Sequence, residues 1–360
     1  MPAPRGRDFE KTRQQLAEWL HGKLPRATEL VVSPLAGPAA TGFSNDTLLF
    51  DLESVEDGRR EHRALVARIE PTGFGIFSSY DLTVQYRVMA ALRGTGVPVP
   101  QMFWFEPDAT LLGAPFYVME RVSGRIPNDN PPYHAGGWMT EVTPQERGAI
   151  WSSGVDTLAA IHACDPAKLG IDFLDAPPPG ADGVAWHLDF WRRYADWVTG
   201  ERAFPLIASG WQWLVANRPP PSERRDLCWG DSRIGNMIFR DGRCVAVLDW
   251  EMATLGPAEM DLGWFLFMDR HHSEGVETPR LAGFPDRAAT IARWEAIGGR
   301  RAEHVEYWEV FTAWRYTVIM ARIGDQMQSI GILPADSTFP ADNTASRLLA
   351  KTLGLVAPEP

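Results

Sequence analysis

Phe9, Leu16, Trp19 and Leu20 fall near one face of a 3.6-residue repeat, which predicts an amphipathic helix over residues 8–22. The pattern then changes to extended runs broken by turns. VVSPL (31–35) and TLLFDLES (47–54) flank the polar segment GPAATGFSND, and after the turn EDGRR comes ALVARIE (64–70), a third strand. Residues 81–93 return to helical spacing, with Leu82, Val88, Met89 and Leu92 as apolar anchors, and GTGVPVP ends that helix. MFWFEPD and APFYVMERV predict two further strands. The order β-β-β-α-β-β describes a small antiparallel sheet with one inserted helix, ending near Glu120–Gly124.

Beyond that point the spacing is mainly helical, interrupted by proline-rich connections at 127–133, 177–183 and 219–221. A helix is predicted over 145–163, closing on His162. Two more are suggested by Trp186, Phe190, Tyr194 and Trp197, and by Tyr307, Phe311, Trp314 and Val318. Such aromatic stripes most often pack a core, although the first could also line an apolar acceptor pocket. The adjacent His271 and His272 have no partners at ligand spacing and are expected to face solvent. The whole reads as an α+β chain of two parts, residues 1–121 and 122–360.

With 360 residues there is length for two cores, and 22% charged residues is ordinary for a globular protein. The net charge of −11, of which −9 lies beyond residue 124, argues against nucleic-acid or anionic-membrane binding. Three widely spaced cysteines form no CxxC pair, so a zinc site or disulfide framework is not expected. The N-terminus has no apolar signal core and no run approaches membrane-spanning length, so a cytoplasmic protein is expected.

The most informative stretch is LCWGDSRIGNMIFRDGRCVAVLDWEMATLGPAEMDLGW, residues 227–264. Asp231, Asn236 and Asp249 stand at offsets 0, +5 and +18, with apolar flanks as if a loop lay between two strands. Asp231 could orient a substrate hydroxyl and accept its proton. Asn236 and Asp249 are hard oxygen donors that could hold magnesium against nucleotide phosphates. Singly, Asp and Asn usually cap turns; the joint pattern with VAVLDWE favours a functional site.

WGDSRIGN and LDWE resemble the catalytic loop and metal-binding strand of the aminoglycoside phosphotransferase/choline kinase group of protein-kinase-like enzymes. TGFSNDT is similar to that family's glycine-bearing loop, FYVMERVSG to its hinge, and TLAAIHACDP to the helix ahead of the catalytic loop. The nearest likeness is to the kinase-like domains attached to acyl-CoA dehydrogenases. The resemblance implies a two-lobed protein-kinase-like fold, with a small antiparallel-sheet N-terminal lobe and a larger, mainly helical C-terminal lobe. It implies Asp231 as catalytic base and Asn236 and Asp249 as magnesium ligands, with Glu251 as a further metal carboxylate. Asp261 matches the residue that braces the loop, and His162 is read as a buried helix-end histidine supporting it. ATP or GTP would be the phosphoryl donor and a small-molecule hydroxyl the acceptor. Ser44 and Asn45 of the glycine-bearing loop and the hinge Met119–Val122, with Glu120 and Val122, would meet the nucleotide.

Three positions depart from the family pattern. Trp229 stands where His is usual, Arg68 where a phosphate-binding Lys is expected, and Gln85 where a Glu pairs with that Lys. Arg keeps the charge with a planar fork, and the Gln85 amide oxygen could accept from it; Asp81, one turn earlier, is a substitute partner. These departures keep a nucleotide-binding pseudokinase in view beside a phosphotransferase. A metal-dependent phosphatase using Asp231, Asp249 and Glu251 is the third reading. Among acceptors, a hydroxylated apolar or acyl compound is favoured over an aminoglycoside, whose polycation the acidic second half would otherwise suit.

Overall fold

Period-2 alternation sorts the side chains of the first half onto two faces of a sheet. Strands β1 (Ala27–Val32), β2 (Asp46–Glu56), β3 (Arg59–Ile69), β4 (Met102–Glu106) and β5 (Phe116–Glu120) pair in the order β1-β2-β3-β5-β4, antiparallel throughout. Leu48, Phe50 and Leu52 of β2, Leu65 and Ile69 of β3, and Phe116 and Val118 of β5 share one buried cluster. Helix α1 (Phe9–Lys23), capped by Asp8, closes that cluster with Leu16, Trp19 and Leu20. Trp19 meets Phe116 edge-on at 4.8 Å and donates its indole N–H to Glu106 at 2.6 Å. β1 begins and ends earlier than the apolar pattern indicates, and Pro34, which has no N–H, lies just beyond its end.

Alternation sends Arg68 to the opposite face from Ala67, together with Tyr117, its register partner on β5. Helix α2 (Leu82–Leu92) packs by that strand through Gln85, which is 2% exposed and accepts the Tyr117 hydroxyl at 3.2 Å. Asp81 caps α2 by accepting Thr83 N–H at 2.8 Å. A short helix α3 (Ala109–Leu112) links β4 to β5.

The computed structural model describes residues 7–37, 46–71, 73, 75–78 and 80–355. The chain divides into two compact units, Met1–Arg93 with Val99–Ser123, and Gly94–Pro98 with Gly124–Pro360. The second unit is mainly helical. Its elements are α4 (Trp138–Glu141), α5 (Pro144–His162), α6 (Pro166–Leu169), α7 (Gly183–Thr199), α8 (Pro205–Ala216), α9 (Glu259–His271), α10 (Arg287–Gly298), α11 (Val305–Ser329) and α12 (Thr344–Thr352), with four short strands. Thr143 and Glu146 form a reciprocal capping box that starts α5 one residue before the predicted position, with Pro144 in its first turn. Among the described residues no helix is long and apolar enough to cross a membrane.

Two expectations change in this unit. The buried face of α7 is Val184, His187, Leu188, Trp191, Tyr194, Ala195 and Val198, so only Tyr194 of the predicted stripe belongs to the core. Trp186 and Phe190 stack on each other at 5.3 Å at the edge of that face, and Trp197 is 43% exposed beneath Arg322. Helical spacing located a stripe but not the face that the neighbouring helices cover. His271 and His272 are buried rather than solvent-facing. His272 places Nδ1 against the Met268 carbonyl at 2.7 Å and Nε2 against Asp129 at 3.2 Å, so both nitrogens have oxygen acceptors inside the protein.

Candidate active site

The segment around Asp231 is a loop between strands of two different ribbons. β6 (Asp226–Cys228) pairs with β9 (Thr254–Gly256), whereas β7 (Met237–Arg240) pairs with β8 (Arg243–Val247). The loop must therefore cross from one ribbon to the other. It does so through Gly230, at φ +95, where a Cβ would lie 2.2 Å from the Met252 carbonyl oxygen, and a 3-10 turn, Ile234–Asn236.

Asp261, in the first turn of α9, holds this crossing. Its Oδ2 accepts Trp229 N–H at 2.5 Å, its Oδ1 accepts Gly230 N–H at 2.9 Å, and its backbone carbonyl accepts the Ser232 hydroxyl at 2.7 Å. His162, at the end of α5, supplies a further donor through Nε2 at 3.1 Å. Trp294 points its indole N–H at His162 Nδ1 at 3.0 Å. An indole only donates, so Nδ1 accepts and the imidazole proton is on Nε2, facing Asp261. Trp229 is fully buried, and its indole N–H bridges the carbonyls of Leu248 at 2.9 Å and Asp249 at 3.0 Å. The aromatic ring at this position thus ties the Asp231 loop to the backbone of the later carboxylate. Leu248 N–H completes the tie by donating to the Asn236 carbonyl at 2.9 Å.

The Asp231 carboxylate is fixed by three side chains. Trp264 Nε1 donates to Oδ1 at 2.8 Å, Asn236 Nδ2 to Oδ2 at 2.6 Å, and Arg233 Nε lies 3.1 Å from both oxygens. Asn236 Nδ2 is also 3.1 Å from the Asp231 carbonyl. Because only its amide nitrogen can donate to these oxygens, Asn236 Oδ1 is the end left to act as acceptor or ligand. Arg233 NH1 reaches Asp129 at 2.5 Å. Burial opposes the Arg233 charge, but Asp129 and then Asp231 outweigh it and raise its pKa well above the ordinary arginine value. Asp249 has φ +60, a left-handed conformation that Asp tolerates better than most side chains. Glu251, two residues later, is half-buried.

The structure therefore brings Asp231 and Asn236 into contact and joins Asp249 to their loop through Trp229 and Leu248. Arg68, Gln85, Glu120 and Val122 belong to the first unit. Glu120 ends β5, where its N–H donates to the Gln101 carbonyl at 2.8 Å and its side chain accepts Gln101 N–H at 3.2 Å. Ser44 and Asn45 lie outside the described residues. Sequence reading did not single out Arg233, Trp264 or Asp129. Trp264 had a usable signal, since it lies one helical turn after Asp261 and shares its face. Asp129 sits in a proline-rich connection that reads only as a linker.

Asn236 and Asp249 each carry hard oxygens that could hold a metal, and among the described residues no group of three or more His, Cys, Asp or Glu side chains could hold one on its own. Two protein oxygens suit magnesium that shares its remaining positions with substrate phosphates and water.

A model of the phosphotransferase enzyme family matches residues 37–299. The acyl-CoA dehydrogenase family member 11 of Rattus norvegicus is 32% identical over 314 residues, covering 82% of this chain and 39% of that protein. The chain spans about two fifths or less of the length of the curated relatives it matches. A solved structure from Ralstonia eutropha, provisionally described as an aminoglycoside phosphotransferase, has a TM-score of 0.66 at 26% identity, covering 94% of this chain and 96% of that one. The GDP complex of aminoglycoside 2'-phosphotransferase-IIIa has a TM-score of 0.61 at 13% identity, covering 95% and 98%; at that identity the likeness concerns the fold. Together these neighbours establish a protein-kinase-like phosphotransferase fold.

Proposed function

The chain belongs to the phosphotransferase enzyme family, and from that premise we propose that it transfers the γ-phosphate of ATP or GTP, with magnesium, to a hydroxyl of a small molecule. The observation that carries this reading is the Asp231 carboxylate. It is oriented by Trp264, Asn236 and Arg233 on a loop whose backbone is fixed by Asp261. In this role Asp231 accepts the hydroxyl proton as the acceptor oxygen bonds to phosphorus and the bond to the departing nucleoside diphosphate breaks. Asn236 Oδ1 and Asp249, with Glu251 two residues further along the chain, are the groups that would hold magnesium. When bound, the ion supplies positive charge against the phosphate oxygens. Arg68, Gln85, Ser44, Asn45 and the backbone from Glu120 to Val122 are the proposed nucleotide-binding set. Gln85 accepts the hydroxyl of Tyr117, the residue opposite Arg68 in the sheet.

For the acceptor we favour a hydroxylated apolar or acyl compound. The surroundings of Asp231 support that choice. Trp264, which bonds it, meets Tyr316 edge-on at 6.0 Å, and Tyr316 meets Phe267 at 6.1 Å. Burial pushes the Tyr316 hydroxyl well above its ordinary value, so it stays a neutral phenol. The kinship with acyl-CoA dehydrogenase family members points the same way.

The test is transfer from ATP and from GTP to a hydroxyl library containing aminoglycosides, alcohols and hydroxyacyl compounds, with wild type and Asp231→Ala. Loss of about 100-fold or more in kcat is expected for the variant; full turnover would remove Asp231 from the chemistry. Activity on aminoglycosides alone would reverse the acceptor choice. Arg68 and Gln85 motivate a second reading, a nucleotide sensor without transfer, for which nucleotide binding with no turnover on any acceptor is the signature.

A further inference from the structure

Arg315 lies in the middle of α11 with 3% of its surface exposed. Its guanidinium carbon is 4.1 Å from the Trp191 ring centroid, 4.7 Å from Trp264 and 5.2 Å from Phe311. Its Nε is buried without a hydrogen-bond partner among the described residues. A buried cation with no carboxylate bonded to it is costly. What faces this one is the π surface of three rings, which attracts a cation most strongly where water is excluded. Burial lowers the Arg315 pKa to about 9, against the opposing fields of Asp261, Cys228 and Asp231, so the group is still charged at neutral pH.

Trp264 has two polar relationships at once. Its ring face meets Arg315, and its ring-edge N–H meets Asp231 Oδ1 at 2.8 Å. A cation over an indole face draws electron density toward itself and leaves the N–H more positive, which makes that N–H a stronger donor. We propose that Arg315 is a positioning residue for Asp231, acting through Trp264 by strengthening the indole N–H bond that fixes carboxylate oxygen Oδ1. This inference deepens the phosphotransfer reading, on which its catalytic consequence rests; its electronic consequence stands without that reading.

The same relationship explains why an arginine suits this position better than a hydrocarbon of similar size. A space-filling side chain would pack Trp191 and Trp264 equally well and leave the indole N–H unpolarised. The two roles therefore differ in what happens to one proton.

That proton can be observed in the full-length protein labelled with nitrogen-15. The chain has fifteen tryptophans, and the Trp264 indole signal is assigned by its disappearance in Trp264→Phe. In Arg315→Met the Trp264 indole proton is expected to move upfield, the direction of a weaker hydrogen bond, while those of Trp229 and Trp294 stay in place. Arg315→Lys, which keeps the charge without the plane, should give an intermediate position and guards against poor folding of the Met variant. In turnover with magnesium and nucleotide, Arg315→Met should lower kcat about tenfold and leave the nucleotide KM unchanged. In a Trp264→Phe background the same substitution should have no further effect. A Trp264 signal unmoved in the folded Arg315 variants overturns the proposal, as do kcat losses that multiply in the double variant. Wild type without transfer to any acceptor overturns the proposed function, and the position of the Trp264 signal then decides the present inference by itself.

Discussion

Asp261 accepts the backbone N–H of Trp229 at 2.5 Å across a separation of 32 residues. With Gly230 N–H on the other carboxylate oxygen and His162 alongside, three donors converge on a side chain that is 1% exposed. An amide offers one acceptor oxygen where the carboxylate offers two. Asp261→Asn should therefore leave a buried donor unsatisfied and cost about 2–4 kcal/mol of stability. Urea denaturation measures the loss. The expected accompaniment is a fall in kcat, because the backbone immediately before Asp231 is what Asp261 holds.

Trp229→His would install the residue usual in the family. A histidine is smaller and cannot span the Leu248 and Asp249 carbonyls that the indole N–H bridges. The cavity and the lost bridge should destabilise the fold by about 1–3 kcal/mol. If Asp249 holds magnesium, the magnesium concentration for half-maximal turnover rises in the same variant. Unchanged stability and metal dependence would count against the bridge.

Gly263 separates Asp261 from Trp264 on the same helix. A Cβ there would lie 2.6 Å from the Trp308 backbone carbon and 2.8 Å from its carbonyl oxygen, so α9 and α11 meet at backbone distance. Gly263→Ala should force the helices apart and destabilise by about 2 kcal/mol or more. Thermal unfolding tests this, with activity falling by more than the stability loss explains, since Asp261 and Trp264 both move with α9.

His187 and His271 are buried, and burial lowers them from the usual 6.5 to about 4 and about 3 respectively. Each therefore resists in the folded state a proton that the unfolded chain accepts. Their contribution to stability is full above the unfolded value and declines as pH falls from about 6.5 toward 4 and 3. The slope is at most about 1.4 kcal/mol per pH unit for each histidine. Urea midpoints at about pH 7.5 and about pH 5 should show this acid loss. A His271→Phe variant should lose less over the same interval.

In the first unit β2 was legible because its buried positions alternate with more exposed ones, whereas β3 and β5 were legible as short apolar runs bounded by turns. The helix over Pro144–His162 was legible to within one residue at each end, while its Thr143–Glu146 capping box was not singled out. The α7 stripe was misassigned because a 3.6-residue repeat with aromatics on adjacent faces does not say which face a neighbour covers. The histidine pair was misassigned for a related reason: Asp129, which His272 meets through Nε2, is brought there by the chain's return path.

By itself, the sequence determined the spacing of Asp231, Asn236 and Asp249 and the family to which that spacing belongs, because a loop of five residues and a short hairpin are local objects. Tertiary structure decided what holds that loop. Asp261, His162 and Trp294 act on Trp229 and Gly230, while Trp264, Arg233 and Asp129 act on Asp231, and these groups come from α5, α9, α10 and two loops. Hydrogen bonds and cation–π contacts depend on positions a few ångströms apart, and residues separated by tens to more than a hundred positions reach those distances only after the helices have packed.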